Sequence, residues 1–374
     1  MEFWNIETEL RQFSETPFHK LMKKLLTKYY FKIFFFLAVL LFTGCQQRVL
    51  QIKPELHQDG KYDSEYPTTP CSEELSSIAA TIRLLSSVTF YESFEFSKIS
   101  GITLKDLKNG IEEKKYVNSF IYNRPSTGTA TAIYYHHRTI ALLTCAHIVD
   151  FPDTLITFYK SKSGLNLETV QNFSVKVGQK INVIDLTQGN DFKIIASDKQ
   201  KDVAVIGKTF ERVPEFPIPV FNFPRGSASE LNWGNFVYVF GYPKGEKMIS
   251  TAIVSRPDKD SNHSFLIDAS FNRGFSGGIV LAIRDGTPNF ELVGLIKAVS
   301  AETKYYLAPD SRTKLTEREL QNLYNGQMSI KAHENIFYGI TYVISIDSIN
   351  EFINDNRTQF EIKGFNTNLF FPGD

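Results

Sequence analysis

The sequence predicts an all-β fold, a sandwich or a barrel, and three observations point that way. From about residue 118, short apolar runs alternate with turn signals, among them NSFIYN, GTATAIYY, TIALLTCAH, DVAVIG, NFVYVFGYP, SFLIDAS, GGIVLAI, ELVGLIKAVS and YGITYVISI. Such runs, with no helical stretches of comparable length between them, read as many short strands. The composition agrees, with 32 Phe and 17 Tyr in 374 residues, residue types that suit a pleated, half-buried surface. Finally, RDGT (284–287) separates GGIVLAI from FELVGLI, a hairpin signal between two strand-like runs.

The segments before and after this region follow in order. Lys23, Lys24, Lys28 and Lys32 precede the apolar run IFFFLAVLLF (33–42), and Thr43, Gly44 and Cys45 come next. A basic stretch, a short apolar run and small residues describe a signal peptide over 1–44. The run is too short for a membrane-spanning helix, which needs about 20 apolar residues. FTGC resembles a bacterial lipobox, with Phe42 where the pattern usually has Leu. That resemblance implies that Cys45 is lipidated, carries palmitate-type acyl chains and becomes the mature N-terminus. The chain would then be a lipoprotein of the bacterial cell envelope, on its periplasmic or surface side, held to the membrane by buried methylenes. Met22 opens a more ordinary signal than Met1, so residues 1–21 are expected to be a mis-assigned start.

Residues 45–70, polar with several prolines, read as a linker. Leu75, Ile78, Ala79, Ile82 and Leu85 stand at helical spacing, and 71–117 reads as a helical N-terminal extension. The β-rich domain spans 118–356. A polar insertion at 301–335 interrupts it, with Thr316 and Glu319 placed as a capping box. Ile349, Phe352 and Ile353 give a short C-terminal helix with Asp347 as its cap, and 357–374 reads as a surface tail.

Charge and cysteines exclude some classes. Lys+Arg and Asp+Glu are 41 each, which argues against a dedicated nucleic-acid binder, whose partner demands a basic field. The three cysteines, Cys45, Cys71 and Cys145, form no C-x-x-C, so no cysteine zinc site is expected. His136 and His137 read as surface strand residues rather than metal ligands. Pairing of Cys71 with Cys145 stays open, and no signature sets an oligomeric state.

The chemistry centres on RGFSGG (273–278). A serine nucleophile needs a base, usually His, oriented by a carboxylate. GFSGG also fits the G-x-S-x-G elbow of α/β hydrolases, which would call on His333 with Asp285 or Asp310 downstream. That elbow demands strand–turn–helix, whereas Ser276 is followed by strand, turn and strand. The other order is His, Asp, Ser. His147 follows the apolar strand LLTCA, and Asp202 stands at the mouth of VAVIG, where a carboxylate can be buried against an imidazole. The spacings, 202 − 147 = 55 and 276 − 202 = 74, each span several strands, as two barrels closing on a cleft require.

These motifs resemble the trypsin-like (chymotrypsin-clan) serine proteases. TCAH resembles the T-A-A-H box, DVAV the D-[IL]-A-[LV] box and GFSGG the G-[DN]-S-G-G box. FGYPKGEKMISTAIVS, IDASFNRGFSGGIV and YGITYVISIDSI are similar to segments of the bacterial HtrA/Deg branch. The resemblance covers roughly 118–356. It implies a mostly β fold, a double six-stranded antiparallel β-barrel with a short C-terminal helix and the N-terminal helical extension. It implies a serine endopeptidase acting through an acyl-enzyme on polypeptide substrates, with no cofactor and no metal, and a role in protein quality control. His147 would be the general base, Asp202 its orienting carboxylate, Ser276 the nucleophile, and the backbone N–H groups of Gly274 and Ser276 the oxyanion hole. Ser270 would floor the primary pocket, walled by Lys297, Ala298 and Val299. An uncharged floor with Val299 beside it implies small or medium apolar side chains rather than Arg or Lys.

Several positions depart from the family pattern. Phe275 stands where trypsin-like zymogens carry the Asp that pairs with a new N-terminal amine, so activation by that route is not expected. Arg273 and Ile279 replace common prolines, and no PDZ-like segment follows. A second class remains, a catalytically silent module that binds extended peptides in the cleft by β-addition.

Overall fold

The computed structural model describes Phe18, residues 21–22, 24–30 and 32, then 58–107, 116–161, 164–257, 264–269, 273–309 and 327–373. In the first unit, Met1–Glu55, the described residues are helical and exposed. The apolar run 33–42, the proposed lipidation residue Cys45 and the capping box at Thr316 and Glu319 lie outside the described residues. No described helix is long and apolar enough to cross a membrane.

The second unit, Leu56–Asp374, carries the β structure. Its strands are β1 (Ile82–Glu95), β2 (Asn118–His136), β3 (Thr139–Cys145), β4 (Thr154–Lys160), β5 (Asn166–Val183), β6 (Lys193–Asp198) and β7 (Val203–Thr209), followed by β8 (Phe236–Gly241), β9 (Met248–Arg256), β10 (Ser264–Ile267), β11 (Ile279–Ile283), β12 (Phe290–Pro309) and β13 (Met328–Ser345). The first seven make one antiparallel sheet in the order β4-β5-β1-β2-β3-β7-β6, and the last six close a barrel in the order β10-β13-β12-β11-β8-β9. The expected fold class is therefore the one found, mostly β in two barrel-like sheets. The first sheet has one strand more than the expected six.

That extra strand is β1, in the stretch read as helical extension. Among the described residues there, the α-helical ones are Ser72–Thr81 and the single turn Leu104–Leu107, with one 3-10 turn at Lys98–Ser100. β1 escaped the period-2 signal because its inward face is polar. Burial alternates along it from Arg83, and the buried positions after the fully buried Ile82 are Arg83, Leu85, Ser87, Thr89, Tyr91 and Ser93. Its outward positions include Leu84, Val88, Phe90 and Phe94, so hydrophobicity does not mark the buried face. Pairing fixes it instead, with Ile82 opposite Thr131 and Leu85 opposite both Gly128 and Val183.

Two other expectations are corrected by aromatic anchors. The linker read at 45–70 is docked where it is described, because Tyr62 is buried beside β11 and β12. Its hydroxyl donates to Glu291 at 2.7 Å, Arg284 covers its ring, and Asp63 N–H donates to Ile283 at 2.9 Å. The surface tail read at 357–374 is likewise packed. Phe360, Phe365, Phe370 and Phe371 are all buried, and Phe371 N–H donates to Ile133 on β2 at 3.0 Å. Burying four Phe side chains outweighs the tail's polar composition, at about 1.5–3 kcal/mol each.

The insertion read at 301–335 is strand at both flanks, where Ala301–Pro309 pairs with Met328–Ile336 as a ribbon prolonging β12 and β13. The C-terminal helix spans Ile346–Asp355, and its cap is Ser345, whose hydroxyl accepts from Ser348 N–H, rather than Asp347. Asp347 sits in the first turn and accepts from Ala228 N–H at 3.2 Å.

Candidate active site

His147 leaves the end of β3 on a single helical turn, Ala146–Val149. Ala146, Ile148 and Val149 are buried, which fixes the turn, while the His147 side chain stays 44% exposed. β3 pairs with β7 so that Cys145 lies opposite Val203, and this puts Asp202 beside His147. Asp202 adopts a left-handed backbone, φ 59°, a conformation that Asp tolerates better than most residues. Its carboxylate is buried, at 9% exposure. Asp202 Oδ1 accepts the His147 backbone N–H at 2.9 Å, and Oδ2 lies 2.9 Å from His147 Nδ1. The Asp202 carbonyl accepts from Ala146 N–H at 3.1 Å. A carboxylate at Nδ1 holds the proton there, which leaves Nε2 as an acceptor.

Ser276 lies in the turn between β10 and β11, half-buried. Its loop is tied to the first sheet by backbone rather than by its hydroxyl. Thr129 N–H donates to the Ser276 carbonyl at 2.8 Å. The Ile296 carbonyl accepts both Gly277 N–H at 2.9 Å and the Cys145 thiol at 3.1 Å. One carbonyl thus joins the residue after Ser276 to the residue two before His147. Among the described residues no hydrogen bond joins the Ser276 hydroxyl to the imidazole. Catalytic hydrogen bonds are commonly loose before substrate binds.

The glycines around Ser276 answer to close backbone contacts. Gly274 has φ 108°, and a Cβ there would stand 2.2 Å from the Tyr242 carbonyl; Gly277 has φ 82°, and a Cβ would stand 2.0 Å from that of Thr129. Gly278 has an ordinary backbone, but a Cβ there would stand 2.3 Å from the Phe240 carbonyl. Among the described residues, the backbone N–H groups of Gly274 and Ser276 donate to no partner. Two free amides on one tight turn suit a developing oxyanion.

Three residues that sequence reasoning missed build this loop. Thr129, fully buried, accepts Tyr242 N–H at 2.9 Å and donates to the Gly274 carbonyl at 2.8 Å through one hydroxyl. Thr144 donates to the Thr129 carbonyl at 2.7 Å. Tyr242 presses its own carbonyl against Gly274. Thr144 and Tyr242 fall inside the TCAH and FGYPKG segments, but nothing in the sequence marks their hydrogen bonds, and Thr129 stands in a run of small residues. Phe275 is buried against Gly241, whose missing side chain makes room for its ring. An apolar plug therefore occupies the position where a charged residue was noted as absent.

The pocket residues are only partly placed. Ser270 lies outside the described residues. Lys297 is half-buried at a bulge of β12, while Ala298 and Val299 pair with Tyr342 and Thr341 of β13. Cys145, His147 and Asp202 bring potential ligand atoms within 4.8 Å of one another. Burial, then the Asp202 charge, pushes the Cys145 thiol pKa well up; the thiol donates to the Ile296 carbonyl, and the Asp202 carboxylate serves His147. Cys71 and Cys145 are both free and buried.

Residues 129–295 match the family model described as a trypsin-like peptidase domain. The matched span opens on Thr129 and contains His147, Asp202 and Ser276. No curated protein matches the sequence. Among solved structures, the chain is similar to the crystal structure of the serine endoprotease from Yersinia pestis, at 14% identity, over 78% of this chain and 67% of that chain, with a TM-score of 0.35.

Proposed function

We propose that the chain is a serine endopeptidase with His147, Asp202 and Ser276 as its triad. The observation that carries this reading is the His147–Asp202 contact at 2.9 Å, with a buried carboxylate, beside a loop that leaves two amides unpaired around Ser276. Ser276 attacks the scissile carbonyl as His147 Nε2 takes its proton. His147 then returns the proton to the leaving amine, and water repeats the sequence on the acyl-enzyme. Asp202 holds the imidazole's orientation and stabilises the imidazolium. Gly274 and Ser276 N–H groups receive the oxyanion, each worth about 2.7–4 kcal/mol. No step calls for a metal or cofactor.

The substrates are extended polypeptides with small or medium apolar side chains at the cleavage site, held over Ser270, Lys297, Ala298 and Val299. Lipidation at Cys45 places the enzyme in the bacterial envelope, where protein quality control is its role. A fluorophosphonate probe tests the chemistry: it should label the folded protein and not Ser276→Ala. Absence of labelling in a folded protein would overturn this reading. It would favour the silent peptide-binding module.

A further inference from the structure

A cavity of about 430 Å³ lies where the start of β1 meets the connection between the two sheets. Its lining combines Arg83, Asp185 and Lys247 with the segment Pro214–Pro219, PEFPIP. Arg83 is only 8% exposed. Its Nη1 lies 3.8 Å from Asp185 Oδ2, while its Nε, buried, has no hydrogen-bond partner among the described residues. Leaving such a donor unpaired is costly. Lys247 approaches the same Asp185 oxygen at 3.9 Å, donates to the Ala79 carbonyl at 3.0 Å and lies over the Tyr242 ring. The Tyr242 hydroxyl also donates to Asp185. Burial lowers the Lys247 pKa, so its charge gains from an added anion.

Two cations therefore share one carboxylate that is already engaged. Glu215, exposed at the rim, makes no ion pair with either among the described residues. The surplus is a single positive charge. A monoanion neutralises it, whereas a dianion would meet repulsion from Asp185. Pro217, Ile218 and Pro219 offer apolar surface beside the charge. We propose that this cavity binds a small organic monocarboxylate with an apolar body, whose carboxylate pairs with the Arg83 guanidinium near Lys247 and whose body rests on the proline-rich segment. The site lies behind the nucleophile loop, since Tyr242 joins Asp185 to Thr129 and Gly274. Its occupancy can be measured without reference to Ser276.

Calorimetric titration of the full-length chain with phenylacetate, phenylacetamide and inorganic phosphate tests the proposal. Phenylacetate should bind saturably, and the neutral amide and phosphate each at least tenfold more weakly. Lys247→Met and Arg83→Lys should each weaken phenylacetate binding tenfold or more. Lys247 is partly exposed, so the Lys247→Met variant keeps the test valid if a thermal melt shows that Arg83→Lys has lost its fold. Equal binding of the amide, tighter binding of phosphate, unchanged affinity in folded Lys247→Met or no saturable phenylacetate binding would each overturn the proposal.

Discussion

One hydroxyl, that of Thr129, carries more of the loop around Ser276 than its place in a run of small residues suggests. It satisfies Tyr242 N–H and the Gly274 carbonyl together, while the Thr129 backbone holds the Ser276 carbonyl. Thr129→Val keeps the shape and removes both side-chain bonds. The buried Tyr242 N–H is then orphaned at about 1–3 kcal/mol, visible as a lower denaturation midpoint. Fluorophosphonate labelling should slow in the folded variant, and Thr129→Ser should restore it. Asp202→Asn acts on the imidazole instead, by favouring the wrong tautomer. It should reduce kcat by about 10⁴-fold while far-ultraviolet circular dichroism and substrate KM stay close to wild type. Cys145 bears on pH. Its thiol pKa is raised on folding, first by burial and then by Asp202, so the folded state holds its proton more tightly than the unfolded state. This contribution is present below the ordinary value of 9.0 and is lost as pH rises above it. Stability should therefore fall from pH 9 upward, and less steeply in Cys145→Ala, as chemical denaturation at stepped pH would show.

At the scale of elements, the strands owe their positions to pairing, and the ends owe theirs to aromatic side chains. The packed tail is the clearest case. Phe371 is buried against the region of β2 with its backbone bonded to Ile133, and its ring stands 6.3 Å from that of Phe221. Phe371→Ala should cost about 3–5 kcal/mol, read from urea midpoints, whereas a surface tail would lose almost nothing. The docked segment around Tyr62 works similarly at the second barrel. Its ring sits under the Arg284 guanidinium, whose charge is matched by Glu291 and Glu230. β1 marks where element reading fails. Its inward Ser87, Thr89 and Ser93 do not announce a buried face, and only its neighbours β2 and β5 define one.

At the scale of the whole molecule, the two sheets meet at the site, and each supplies what the other lacks. The first contributes His147, Asp202 and Thr129, and the second contributes Ser276 and the Ile296 carbonyl that accepts from both sides. The proposed envelope anchoring also belongs here. Cells given labelled palmitate should incorporate it into the wild-type chain and not into Cys45→Ala. Label persisting in that variant would place the acyl chain elsewhere.

The sequence by itself determined the β character, the three candidate catalytic residues and the flanking glycines. These signals are local: strand periodicity, a His after an apolar run, an Asp before one, and glycines flanking a serine. The His147–Asp202 contact, the role of Thr129, the plug at Phe275, the docking of Tyr62 and the burial of the tail were decided only by tertiary structure. Each depends on partners far apart in the chain, such as Thr129 with Gly274 or Phe371 with Ile133. A hydroxyl or a phenyl ring looks the same in sequence whether it faces water or closes a gap between two sheets.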